Sequence, residues 1–280
     1  MGGTPVVAET VDALRSENRG YRTAGEKVAL VPTMGALHAG HVALVERAKE
    51  LADRVVVSIF VNPTQFAPNE DFSRYPRTFA ADCALLAAHD VDVVYAPAPS
   101  EMYPPGFATE IVMSGPAREL ETQFRPHFFS GVAIVVSKLL LQCLPDYALF
   151  GEKDYQQLKV VTRMARDLDL QVEIVPVATL READGLALSS RNRYLSMDER
   201  AVAPVIHRTL EHAATALRAG GSLEEALTLA RTEITAAGMK LDYLEARHAE
   251  TLAPVVEGDP IRLLLAAWLG TTRLIDNIGV

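Results

Sequence analysis

Through the first two-thirds of the chain, short β-branched runs alternate with longer stretches of helical periodicity. Residues 27–31 read as a buried strand. Residues 41–52 place Leu44, Val45, Ala48 and Leu51 at i, i+3 and i+4 spacing, the signature of a helix with one apolar face. The alternation continues with a strand at 54–61, a helix at 78–89, a strand at 91–95 and a helix at 131–144. A strand at 147–150, a helix at 155–168 and a strand at 171–175 complete it. Apolar strands separated by helices predict the α/β class, a Rossmann-like doubly wound parallel sheet covered on both faces. In such a sheet ligands sit beyond the C-terminal ends of the strands.

The pattern changes near Thr179. After residues 181–195 come two Ala- and Leu-rich helical segments, 198–219 and 222–237, then three short strand-like runs at 242–247, 261–267 and 272–276. This predicts a ligand-binding domain over 1–179 and a smaller α+β domain over 180–280 that closes over the site.

Hydrophobic residues make up 49% and charged residues 22% of the 280, enough apolar material for a core. With 27 Lys plus Arg against 36 Asp plus Glu the formal charge is −9, which argues against the basic face of a nucleic-acid binder. An anionic substrate would therefore need a local positive focus inside a negative molecule. The two cysteines, Cys83 and Cys143, form no CxxC pair and fit a reducing compartment. Residues 1–11 carry no basic stretch followed by an apolar run, and the longest apolar stretch, 131–144, is too short for a bilayer. A cytoplasmic location is the expectation that remains.

Four segments carry candidate chemistry. Pro32-Thr33-Met34-Gly35-Ala36-Leu37-His38-Ala39-Gly40-His41 follows the first strand read here and opens a helix. Its glycines allow close backbone approach, the helix N-terminus offers unpaired N–H groups, and two imidazoles three residues apart can face one anion. It lacks both the Gly-Lys-Ser/Thr ending of a P-loop and a GxGxxG fingerprint. A zinc pair at HxxH spacing is the rival reading; it lacks a third ligand nearby. A plain helix cap is the bland one.

Gly151-Glu152-Lys153-Asp154, leading into Gln156-Gln157, puts a lysine at another strand-to-helix junction, where it can reach phosphate oxygens and Asp154 can cap the helix. Leu188-Ser189-Ser190-Arg191-Asn192 sets two hydroxyls and a guanidinium in a stretch read as non-helical, suited to the outer phosphates of a nucleotide. Asn62-Pro63-Thr64-Gln65 ends the second strand of this reading with a neutral amide able to donate and accept, which suits a hydroxy acid. Each has an ordinary reading: a solvated charge cluster, a serine-rich loop, a turn with an exposed glutamine. Their shared position, beyond strand ends or beside the domain junction, favours the functional one.

At these residues the chain resembles the pantothenate synthetase family, within the HIGH-type nucleotidyltransferases. The likeness runs over nearly the whole length through PTMGALHAGH, SIFVNPTQF, RYPRT, GEKDYQQL, READGLALSSRNRYL and TTRLIDN. It implies ATP-dependent condensation of (R)-pantoate with β-alanine through a pantoyl adenylate, releasing AMP and pyrophosphate, in a homodimer that uses Mg²⁺. By position, Met34 to His41, Gly151 to Asp154, Leu180 and Leu188 to Arg191 would hold ATP. His38, His41, Lys153 and Arg191 would be catalytic, and Asn62, Gln65, Arg125 and Gln157 would hold pantoate and β-alanine. The acidic pair that follows RYPRT in the family reads Ala81-Asp82 here, with Leu85 one turn on, leaving Asp82 as the one side-chain candidate for the metal. The histidine of the family's RPxHF pattern is displaced to His127. Two rival functions remain beside this one: a nucleotidyltransferase acting on a phosphorylated acceptor, against which the neutral Gln65 and Gln157 argue, and a nucleotide-binding regulatory module.

Overall fold

The computed structural model describes residues 3–66 and 71–280; the first two residues of the stretch read for a leader lie outside them. The chain divides into two compact units, 1–152 with 160–178 and 153–159 with 179–280.

In the first unit the order is β1 (Val6–Ala8), α1 (Val11–Thr23), β2 (Val28–Thr33), α2 (Ala39–Leu51), β3 (Arg54–Ile59), α3 (Phe79–Ala88) and β4 (Val93–Tyr95). There follow α4 (Pro99–Met102), α5 (Glu121–Phe124), α6 (Phe128–Cys143), β5 (Tyr147–Gly151), α7 (Tyr155–Asp167), whose first turn belongs to the second unit, and β6 (Glu173–Val177). The six strands form one parallel sheet in the order β1-β4-β3-β2-β5-β6. Ala29 and Val31 of β2 pack with Leu44, Val45 and Ala48 of α2, joined by Val55, Val57 and Leu149, while α6 lies against the same strand and against α1.

The chain leaves β2 for β3 on one side and later returns to place β5 on the other, so the direction of winding reverses at β2. Pairing differs on the two sides. β2 is bonded to β3 over all six residues, from Val28–Arg54 to Thr33–Ile59, but to β5 only at Ala29–Tyr147 and Leu30–Ala148. The sheet therefore opens between the C-terminal ends of β2 and β5, the place where open α/β sheets bind ligands.

The second unit contains α8 (Met197–Val202), α9 (Val205–Arg218), α10 (Leu223–Ala236) and the antiparallel strands β7 (Lys240–His248), β8 (Ile261–Leu269) and β9 (Thr272–Gly279). Ile206, Leu210 and Ala214 of α9 and Ala230 and Ile234 of α10 share one core with Leu244, Leu263 and Leu265 of the sheet.

The α/β reading and its smaller α+β partner hold, with local corrections. β1 and α1 have no counterpart in the sequence pattern: β1 is three residues long, and α1 buries only Leu14 and Asn18, so neither leaves an apolar stripe. The helix expected over 198–219 is two, because Pro204 has no N–H to continue the ladder and starts α9 as its N-cap. Residues 190–194 form a 3-10 turn instead of a non-helical stretch, with Ser189 Oγ accepting from the Arg191 N–H at 3.3 Å.

Two glycines test this packing against each other. A Cβ on Gly131 would lie 2.5 Å from the Thr64 carbonyl oxygen and 2.9 Å from the Gln65 Cα, so α6 approaches that turn more closely than any other residue would allow. Gly20, in exposed α1, would meet nothing within 4 Å. Urea unfolding should show Gly131→Ala destabilised by about 1–3 kcal/mol and Gly20→Ala stabilised by about 0.5–1 kcal/mol through helix propensity alone.

Candidate active site

The segment from Met34 to His41 leaves β2 at the open end of the sheet. Thr33 starts it: its hydroxyl donates to the Ser58 carbonyl at 2.7 Å and accepts the Gly35 N–H at 3.2 Å. Gly35 and Ala36 both take the left-handed region, at φ +81° and +52°. A carboxylate beneath them, that of Asp82 on α3, accepts from the Ala36 N–H at 3.0 Å and the Leu37 N–H at 2.9 Å.

His38 caps α2 in a reciprocal manner. Its Nδ1 accepts the Gly40 N–H at 3.1 Å, while Nδ1 of His41 reaches back to accept the N–H of His38 at 3.2 Å. The rings lie 4.1 Å apart between centroids. A ring nitrogen that accepts carries no proton, so each neutral imidazole holds its proton on Nε2, where it can donate to an oxyanion.

The N–H groups of Gly35, Ala36, Leu37 and His38, in the turn before α2, and that of Gly40 in its first turn all have acceptors inside the protein. The side chains of Ala36 and Leu37 are buried as well, Leu37 in the core under the sheet.

A second group of residues meets at the end of β3. Asn62 is 1% exposed and its amide is consumed by neighbours. Oδ1 accepts from the Thr64 N–H (3.3 Å), the Thr64 hydroxyl (3.0 Å) and the Tyr103 hydroxyl (2.8 Å). Nδ2 donates to the Gly131 carbonyl at 3.0 Å and to Gln65 Oε1 at 3.2 Å. Because a backbone N–H can only donate and a carbonyl only accept, Thr64 and Gly131 fix which way the Asn62 amide points, and Asn62 in turn fixes Gln65. The Gln65 amide nitrogen then faces the Met34 sulfur, 3.1 Å away. Asn62 thus supports Gln65 from below, with its hydrogen-bonding groups engaged by the turn.

Arg125 joins this group, donating from Nη2 to the Gln65 carbonyl at 3.1 Å and stacking over Phe128 at 3.8 Å, with Glu121 at 3.7 Å. The displaced His127 is exposed. Tyr103 was missed by sequence reasoning; it lies 41 positions from Asn62, and no local pattern links them. Burial pushes its phenol above the ordinary value, which keeps it a donor. Gly151, which ends β5, and Glu152, which follows it, are half-buried on the far side of the opening.

Mg²⁺, implied by the family resemblance, finds no fitting donor set in side chains. Asp82 is 4% exposed and already accepts from two backbone N–H groups and the Thr78 hydroxyl. Among the described residues no group of three His, Cys, Asp or Glu is placed to hold a metal.

The remaining candidates belong to the second unit. The carbonyl of Lys153 accepts from Asn277 Nδ2 at 2.9 Å, and its ammonium lies 3.9 Å from Asp154, whose side chain is half exposed. Gln157 is half-buried in the first turn of α7. Leu180 and Leu188 are brought together by the Leu188 N–H, which donates to the Leu180 carbonyl at 3.0 Å, and between them the chain turns back at Gly185. Arg181 clamps this hairpin to β9 through two bonds to the buried Asp276, at 2.6 and 2.9 Å. Ser189, Ser190 and Arg191 follow as the 3-10 turn. Adjacent residues of β9, Asp276 and Asn277, therefore anchor both the Leu180–Arg191 segment and Lys153, which gives the closing TTRLIDN motif a structural purpose.

A family model described as pantoate–β-alanine ligase matches residues 6–279. A protein of Bradyrhizobium sp. (strain BTAi1) named pantothenate synthetase is 62% identical over the full length of both chains. The crystal structure of pantothenate synthetase from Thermus thermophilus superposes with a TM-score of 0.91 at 48% identity, over 98% of each chain. That of the pantoate–β-alanine ligase of Francisella tularensis, complexed with a β,γ-ATP compound and β-alanine, gives 0.83 at 35% identity, over 98% of this chain and 97% of that one. With the sheet opening at β2, the paired imidazoles beyond it and a match from end to end, the chain belongs to the pantoate–β-alanine ligase family.

Proposed function

We propose that this ligase condenses (R)-pantoate with β-alanine in two steps, through a pantoyl adenylate, releasing pyrophosphate and then AMP. The observation that carries the reading is the pair of imidazoles capping α2, each accepting a backbone N–H on Nδ1, together with the Gln65 amide, whose oxygen is held by Asn62 and whose nitrogen lies against the Met34 sulfur. Phosphoryl transfer needs positioning and neutralisation of charge more than it needs a base, because the attacking carboxylate is already ionised. His38 and His41 donate to oxygens of the α-phosphate, and Lys153 and Arg191 neutralise the remaining charge of the triphosphate. Met34 to His41, Gly151 to Asp154, Leu180 and Leu188 to Arg191 hold the nucleotide. Mg²⁺ arrives with ATP as part of that substrate, held by phosphate and water oxygens.

The acid is recognised by Gln65 and Gln157, with Arg125 fixing the backbone of Gln65. An amide nitrogen carries two N–H groups, so one that meets a weak sulfur acceptor still has a donor for a hydroxyl or carboxylate oxygen. In the second step the amine of β-alanine attacks the acyl carbon, the C–O bond to AMP breaks, and the ammonium proton lost on attack passes to solvent or to the departing phosphate. Both cysteines are free, and among the described residues no helix is long and apolar enough to cross a membrane; a homodimer in a reducing cytoplasm is the setting we assign.

If the adenylate forms first, labelled pyrophosphate should exchange into ATP with pantoate and Mg²⁺ present and β-alanine absent. Exchange that requires β-alanine would overturn the two-step order. The same exchange should fall by roughly two to three orders of magnitude in His41→Ala, since one preorganised donor to the transition state is lost.

Two further variants separate the roles. Lys153→Ala should lower kcat by at least about 10²-fold while circular dichroism stays native, because its ammonium serves charge and not the core. Gln157→Ala should raise the KM for pantoate roughly 10- to 100-fold and leave that for ATP within about twofold. Equal losses for both substrates would remove Gln157 from acid recognition.

A further inference from the structure

The expected metal ligand is the least accessible carboxylate near the nucleotide segment. Asp82 sits in the first turn of α3, 4% exposed, where the helix N-terminus favours a charged carboxylate. Its two oxygens receive three donors: Leu37 N–H on Oδ1 at 2.9 Å, Ala36 N–H on Oδ2 at 3.0 Å and the Thr78 hydroxyl on Oδ2 at 3.1 Å.

The two backbone donors are successive residues at a turn the chain would not adopt unaided. Ala36 stands at φ +52°, in the left-handed region that a residue with a Cβ enters only at a cost. At Gly35, φ +81°, a Cβ would lie 3.1 Å from Asp82 Oδ2 and equally close to Ile59 Cγ2. The carboxylate fills the space under the turn, and the turn is bent around it. The next residue after Leu37 is His38, whose imidazole caps α2 and whose backbone N–H holds the His41 ring.

We propose that Asp82 is a positioning residue of the ATP-binding segment and not a ligand of the metal: it holds the left-handed turn at Gly35 and Ala36, and through it the placement of His38 and His41. This rests on the reading that residues 34–41 bind the nucleotide. A metal ion needs oxygen lone pairs facing an open coordination sphere, whereas the lone pairs here face two N–H groups and a hydroxyl. An amide at this position keeps the volume but sets an NH₂ against one of the two N–H donors, so the turn loses its mould while the metal's phosphate ligands are untouched.

The test is Asp82→Asn in the full chain, with four measurements. Calorimetric affinity for a non-hydrolysable ATP analogue should weaken about tenfold or more, as expected for a lost charged hydrogen bond, and the KM for ATP should rise in parallel. The KM for pantoate should stay within about twofold, and so should the free Mg²⁺ giving half-maximal rate at saturating ATP. Titration of wild-type protein with magnesium chloride alone should give no heat of binding. An unchanged analogue affinity in folded Asp82→Asn would overturn the proposal, as would a tenfold shift in Mg²⁺ requirement with ATP binding intact, or Mg²⁺ binding to wild type that Asp82→Asn abolishes.

If Asp82→Asn fails to fold, Thr78→Val removes only the hydroxyl donor; it should weaken analogue binding about threefold without altering the Mg²⁺ requirement, and no change would sink the idea. Failure of the broader reading looks different: wild type itself would then neither bind the analogue nor exchange pyrophosphate with pantoate.

Discussion

A buried strand must have its backbone groups paired, and β2 has two neighbours that meet this demand unequally. β3 follows it over its whole length, while β5 departs after Leu30. Everything chemical in the first unit depends on that departure. The residues of β2 beyond Leu30 keep a partner only on the β3 side. Thr33 therefore turns its hydroxyl to the Ser58 carbonyl, the chain bends at Gly35, and α2 begins beside the opening. The same separation leaves Gly151 and Glu152 at the opposite lip. A ladder that continued to Thr33 on both sides would carry the chain straight past the place where the imidazoles now stand.

How much of this was legible follows from what each feature needs. The strands of the parallel sheet could be read because they are buried on both faces and so appear as apolar runs, and α2 because its apolar face repeats every three to four residues. β1 and α1 could not: a three-residue edge strand and a mostly polar helix carry too few buried positions for periodicity to register. The candidate residues were legible as motifs because they are contiguous, but what supports them is not. Tyr103 holds Asn62, Asp82 holds Ala36 and Leu37, and Asp276 holds Arg181, over separations of 41, 46, 45 and 95 positions. Such partners are chosen by the fold, and only the fold displays them.

The α2 N-terminus shows a side chain entering the backbone pairing that a sequence pattern does not display. A glycine-rich turn before a helix usually leaves backbone N–H groups for an anion. That inference assumes the intervening side chains are bystanders. Histidine is not one, because in its neutral form it is both donor and acceptor. Here each imidazole takes a backbone N–H on Nδ1 and thereby commits its own proton to Nε2.

For the proposed reaction, an imidazole donor differs from a backbone one. A backbone N–H carries a fixed partial charge, whereas an imidazole already polarised by a hydrogen bond at Nδ1 can share its Nε2 proton with a phosphoryl oxygen as negative charge grows there. Its placement must be firm, since a displacement of about an ångström forfeits most of the effect. In a chain of formal charge −9 the site cannot rely on a surrounding positive field. It relies instead on rigid local supports: a carboxylate under the turn, mutual capping of the two rings, and amides whose orientation is dictated by backbone groups. Each of these fixes, by bonds within the protein, a group that the proposed reaction needs.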